Sequence, residues 1–183
     1  MTGVPVTSIV SGQTWKRSIR GVKGVFLSEK RSIRGRTLAV DPGKRRLGVA
    51  LSDELGLTVR PLLTLDRKID KDVVARLVDL VVKYQIGFVV VGLPVRPSGD
   101  RGPEAVAALA LAESLRQSLL TRGLSIEVES VDESYTTTEA EVRLRERGLG
   151  PDERRKVIDQ EAAAVLLEDY LRSLPSSPRG EES

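Results

Sequence analysis

Leu38-Ala39-Val40-Asp41-Pro42-Gly43-Lys44-Arg45-Arg46-Leu47-Gly48-Val49-Ala50 decides the reading of this chain. Leu38 to Val40 is a short apolar run that suits a buried strand. Asp41 closes the run and sets a carboxylate at the strand's edge. Pro42-Gly43 turns the chain, and Arg46 to Ser52 alternates as the second strand of a hairpin. A carboxylate held at a strand end by a rigid sheet is well placed to ligate a hard cation such as Mg²⁺. Asp-Pro is also an ordinary turn opener, so this stretch alone leaves both meanings of Asp41 open.

Outward from the hairpin, a third strand is expected over Thr58 to Leu65, with Pro61 suiting an edge position. Asp66 would cap a helix from Arg67 to Lys83, whose Ile69, Val73, Val74, Leu77, Leu80 and Val81 fall at helical spacing. Phe88-Val89-Val90-Val91, within Gly87 to Gly92, is a β-branched run for a strand covered on both faces. Leu93 to Gly102 reads as a loop. Pro103 opens a helix to Thr121 that stops at Gly123. Ile126, Val128 and Val131 mark a fifth strand ending in Asp132-Glu133. One of Thr136, Thr137 or Thr138 caps a short helix to Arg147. Arg154 to Leu174 forms the last helix, striped by Val157, Ile158, Ala162, Val165, Leu166 and Tyr170. The order β-β-β-α-β-α-β-α-α implies a mixed α/β sheet, its first three strands antiparallel, with helices on both faces.

Composition removes whole classes of chemistry. The 183 residues include no Cys and no His. Disulfides, thiolate nucleophiles, imidazole bases and Cys- or His-ligated metals are therefore excluded. Aromatics make up 3%, so the core must be built from Val, Leu, Ile and Ala. No apolar stretch approaches the ~20 residues of a membrane span, and no secretory signal opens the chain, so a cytoplasmic protein is expected. Residues 1–36 carry eight basic residues and one acidic; residues 37–183 carry 21 basic and 25 acidic. The basic excess thus belongs to the leader, where Lys-Arg-Ser-Ile-Arg-Gly occurs twice, at Lys16–Gly21 and Lys30–Gly35. Residues 1–35 read as a disordered basic arm that either grips phosphates or is a plain extension, residues 36–174 as the folded domain, and residues 175–183 as a disordered tail.

In open α/β sheets, sites gather at the strands' carboxyl ends. Asp41 ends the first strand and Asp132-Glu133 ends the fifth. Asp159 interrupts an otherwise apolar face of the last helix, and a buried carboxylate asks for a partner. If Asp41, one of Asp132 and Glu133, and Asp159 converge, divalent cations would neutralise their repulsion and could clamp the attacking and leaving oxygens of a phosphodiester. Such chemistry needs neither His nor Cys.

Four stretches carry a family resemblance: Ala39 to Ala50 with Ser52-Asp53; Val90-Val91-Gly92-Leu93-Pro94; Val131-Asp132-Glu133 with Thr136 to Ala140; and Val157-Ile158-Asp159-Gln160 with Ala162-Ala163. Over about Arg36 to Leu174 the chain resembles the YqgF-type, or RuvX, family of pre-16S ribosomal RNA nucleases. That family is related to the RuvC-type Holliday-junction resolvases and is ribonuclease H-like in fold. The resemblance implies Mg²⁺- or Mn²⁺-dependent phosphodiester hydrolysis in ribosome biogenesis, with a DNA-junction nuclease or a non-catalytic binding factor as alternatives. Asp41, Glu133 and Asp159 are then the catalytic and metal-binding acids, with Asp132 as the alternate. Glu133 is preferred because related nucleases carry Glu there, and because only one of two adjacent strand residues faces the cleft easily. Where the family continues Asp-Glu-Arg, this chain has Ser134. Lys44, Arg45, Arg46, Arg96 and Arg101 are the candidate nucleic-acid contacts. The partner implied is pre-16S rRNA or branched DNA, no membrane is involved, and a monomer and a homodimer are both compatible. An ATP-binding domain of the actin and sugar-kinase type shares the Asp-x-Gly hairpin, but 183 residues leave no room for its second domain.

Overall fold

The hairpin at Leu38–Ala50 forms the middle of the sheet. In the computed structural model, residues 35–94, 101–133 and 136–174 are described; the basic leader, Arg96 and the C-terminal tail lie outside them. The order is β1 (Arg36–Pro42), β2 (Arg46–Ser52), β3 (Val59–Asp66), α1 (Val73–Lys83), β4 (Ile86–Pro94), α2 (Pro103–Thr121), β5 (Glu127–Glu133), α3 (Thr136–Glu146) and α4 (Pro151–Ser173). The strands assemble as β3-β2-β1-β4-β5. The first three are antiparallel, and β4 and β5 add in parallel to β1. This is the mixed sheet that the sequence order implies.

Alternation sorts the sheet into two faces. Leu38, Val40, Val49, Val89, Val91 and Val128 pack with Leu77, Val81, Leu115 and Leu119 of α1 and α2. Each large aliphatic side chain so buried contributes ~1.5–3 kcal/mol relative to exposure, which is how a chain poor in aromatics still builds a core. On the opposite face Ala39 and Ala50 meet Ala163, Ala164, Leu166 and Leu167 of α4. Small residues on both partners let that helix sit close to the sheet. Phe88 stacks on Tyr170 at 5.8 Å, and the Tyr170 hydroxyl donates to Glu129 at 2.8 Å. A third layer, α3, packs on α4 through Ala140, Ala162 and Val165 and through Arg143, which reaches Glu168 at 2.9 Å.

Pro61 does lie on an edge strand. It stands at a bulge, where Val49 faces Leu63 but Ala50 faces Pro61 and Leu62 is skipped. A ladder already interrupted there tolerates a residue with no N–H to donate.

Three boundaries differ from expectation. The helix expected from Arg67 starts at Val73, capped by Asp72, whose Oδ1 accepts from Ala75 N at 2.9 Å. Asp66 instead closes a turn: its carboxylate accepts from Lys68 N at 2.9 Å, and its own N–H donates to Asp70 Oδ2 at 2.9 Å. Short acidic side chains compete in this way with helix hydrogen bonding. Ile69, counted among that helix's apolar positions, is consequently outside it and 77% exposed. Leu93 and Pro94, expected in a loop, extend β4 and pair with Asp132 and Glu133. The last helix begins three residues early because Pro151 occupies its first turn and Glu153 accepts from Gly150 N at 2.9 Å. Asp72→Ala should cost about 1 kcal/mol in a urea melt, the usual worth of an N-cap; Asp66→Ala should leave the helix content seen by circular dichroism unchanged.

Candidate active site

Gly48 joins the first strand to the last helix. It is the register partner of Asp41 on one side and of Thr64 on the other. A Cβ at this position would overlap the backbone carbonyl of Asp159. The backbone of α4 thus rests on β2 one strand away from Asp41, and Gly48 and Asp159, 111 positions apart in sequence, meet beside the carboxyl end of β1. Asp41 follows Ala39 in the alternation that faces α4, and it is half-buried.

Asp159 is partly enclosed, its side chain 25% exposed. Arg46 Nε lies 2.7 Å from Oδ2 as an ion pair, with no well-aligned hydrogen bond to this buried oxygen. Burial pushes the Asp159 carboxyl up from its ordinary range, and the Arg46 charge opposes this. Thr64 Oγ1, on the strand position beside Gly48, is likewise buried without a hydrogen bond.

The parallel register brings β5 to the same end of the sheet. Gly92, Leu93 and Pro94 pair with Val131, Asp132 and Glu133. On β5, Glu129 bonds Tyr170 of α4 and Val131 packs against it, whereas Val128 belongs to the opposite core. Position 133 therefore falls in the series on the α4 face. Asp132 falls in the other series and is exposed. The Glu133 side chain lies outside the described residues.

Among the described residues no three acidic side chains form a metal-holding group. The donors are nonetheless of the right kind. Asp41 and Asp159 offer carboxylate oxygens, the ligands of Mg²⁺ and Mn²⁺, and Asp159 Oδ2 is a buried acceptor already beside a cation.

The expected phosphate-gripping cations are mostly engaged within the chain. Lys44 Nζ lies 3.0 Å from Glu104, Arg45 Nε 3.2 Å from Asp66, and Arg46 pairs with Asp159. Arg101 is exposed. One cation was not singled out from the sequence. Arg67 follows directly on β3, donates from Nε to the Gly43 carbonyl at 3.3 Å, and has its own N–H bonded to Arg45 O at 3.0 Å. In an antiparallel meander the end of β3 returns beside the β1–β2 turn; that geometry is the signal that identifies Arg67.

The sheet order and the helix laid across β2 define a ribonuclease H-like α/β domain. A family model described as "RuvX: Holliday junction resolvase" matches residues 35–173. A protein of Chloroflexus aurantiacus named "Putative pre-16S rRNA nuclease" is 40% identical over 141 residues, covering 77% of this chain and 89% of the relative. One of the same name from Anaeromyxobacter dehalogenans is 39% identical over 136 residues, covering 74% and 96%. Among solved structures, Thermus thermophilus RuvC bound to a Holliday junction aligns with a TM-score of 0.47 at 18% identity, over 76% of this chain and 96% of that one. The fowlpox virus resolvase with its junction DNA aligns at 0.49 and 14%, over 76% and 98%. The chain belongs to the RuvX family, and with it to the nuclease class of hydrolases. No helix among the described residues is long and apolar enough to cross a membrane.

Proposed function

We propose that this protein is a metal-dependent endonuclease that hydrolyses phosphodiester bonds at the 5′ end of precursor 16S rRNA. The observation that carries the reading is the seating of Asp159 on Gly48, the cross-strand partner of Asp41. Asp41, Asp159 and Glu133 would hold Mg²⁺ or Mn²⁺, and when bound the cation polarises the scissile phosphoryl group as a Lewis acid. The chain's own part is positional. β1 carries Asp41, β5 carries position 133 and α4 carries Asp159, and rigid elements of this kind favour a preorganised set of donors. Arg46, beside Asp159, supplies positive charge where the phosphate would lie, and exchanging a carboxylate for a phosphate oxygen suits a guanidinium. The names of the relatives from Chloroflexus and Anaeromyxobacter favour rRNA over DNA as substrate; the description of the family model favours branched DNA.

One assay separates these. A labelled RNA carrying the precursor 5′ end of 16S rRNA and a synthetic four-way DNA junction are each incubated with the protein in Mg²⁺, Mn²⁺ or EDTA. Cutting of the RNA in either metal and not in EDTA is the expected result. Cutting of the junction alone would move the substrate to DNA, and cutting that persists in EDTA would overturn the metal-dependent mechanism.

A further inference from the structure

Between the β1–β2 turn and the start of α2 lies a cleft of about 480 Å³, lined by Pro42, Gly43, Lys44, Arg67, Pro103, Glu104 and Ala107. That volume is within the ~300–1,000 Å³ of small-ligand sites. Pro42, Pro103 and Ala107 give the lining its apolar part. The rest of the lining is charged, and its two cations differ in availability. Lys44 is held by Glu104 at 3.0 Å. Arg67 has no acidic partner among the described residues: its Nε donates to a neutral carbonyl, that of Gly43, leaving the terminal amino groups of the fork for another acceptor. Arg45 and Arg46, by contrast, are engaged by Asp66 and Asp159. Pro42 directly follows Asp41 but alternates to the α2 side of β1, so the cleft opens at the same end of the sheet as the proposed site and on the other face of the strand.

A largely apolar slot with a guanidinium in its lining, at the same sheet end as a phosphodiester-cleaving centre, matches one nucleotide of a strand that passes the β1–β2 turn. We propose that this cleft receives a nucleotide adjoining the scissile bond, with its phosphate on Arg67 and its sugar and base against Pro42, Pro103 and Ala107. The inference rests on the nuclease reading for its choice of ligand. Arg67 is then a binding residue that fixes the register of the strand, since guanidinium–phosphate contacts position the backbone without reading sequence.

The test is equilibrium binding of fluorescein-labelled single-stranded RNA and DNA in EDTA, which removes cleavage from the readout. Arg67→Gln is expected to weaken binding about tenfold and to flatten the slope of log K against log salt by about 0.7 for a single strand. Arg67→Lys should recover part of the affinity, keeping the charge without the fork. Ala107→Glu, on an exposed turn of α2, should also weaken binding by adding negative charge to the cleft. Arg60→Gln, whose guanidinium lies over Tyr84, should bind as wild type does. Wild-type affinity and salt slope in folded Arg67→Gln would overturn the proposal while leaving the nuclease reading intact. A wild-type chain that binds but fails to cut would leave the cleft standing and sink the nuclease reading, and one that binds neither RNA nor DNA would overturn both.

Discussion

Gly48→Ala is expected to lower the stability of the fold by about 3 kcal/mol or more, at or above the upper end for overpacking. The added methyl would meet the Asp159 carbonyl and, at 3.0 Å, Gln160 N. Both are backbone, so no rotamer change can relieve the overlap; either α4 lifts from the sheet or β2 bends. Lifting α4 also opens the Ala39–Ala50–Ala163–Ala164 contact, whose small side chains hold it close. For a domain of this size the melting temperature should fall on the order of 10 °C. The same displacement would carry Asp159 away from Asp41, so nuclease activity should fall further than the folded fraction does. A urea midpoint and activity both unchanged in Gly48→Ala would refute the close seating of α4 on β2.

Much of this architecture is legible in the sequence, and the reason is local. The Val-rich run at Phe88–Val91, the Asp-Pro-Gly turn and the Pro103 and Gly123 boundaries each follow from short-range preferences that the tertiary structure did not override. The element order and the mixed sheet follow from them. Where the sequence misleads, a side chain chooses between two local partners. Asp66 has helix-capping chemistry but is drawn into the turn with Lys68 and Asp70, and Asp72 takes the cap. The acids Asp41 and Asp159 stand out because a carboxylate at a strand end or in an apolar helix face needs a reason. That Gly48 lets α4 lie directly on β2 is not visible from its own neighbourhood, where glycine in a strand reads as a weakness; its meaning lies in a helix more than 100 residues away. The pairing of Lys44, Arg45 and Arg46 with Glu104, Asp66 and Asp159 is equally non-local, and Arg67 stands out only against it.

Asp41→Asn and Asp159→Asn should each reduce RNA cleavage at least ~10²–10³-fold, the scale for losing one preorganised electrostatic partner of a transition state. Both should do so without unfolding the protein. The amide has the shape of the carboxylate, and at 159 it is cheaper to bury, since Oδ2 is enclosed without a directed hydrogen bond. The urea midpoint of Asp159→Asn should therefore match or exceed that of wild type, even though Arg46 loses its partner. Stability held at an acid whose removal stops chemistry is what separates a functional carboxylate from a structural one. The adjacent pair on β5 sharpens this test. Position 133 shares the strand series of Glu129 and Val131, whose side chains meet α4, while Asp132 belongs to the series of Val128 on the other face. Glu133→Gln should therefore lose cleavage as Asp41→Asn does, and Asp132→Asn should retain most of it. The reverse result would assign the third acid to Asp132 and require β5 to twist or bulge at its end. Full activity in both variants would leave the metal with two protein carboxylates and sink the three-acid arrangement.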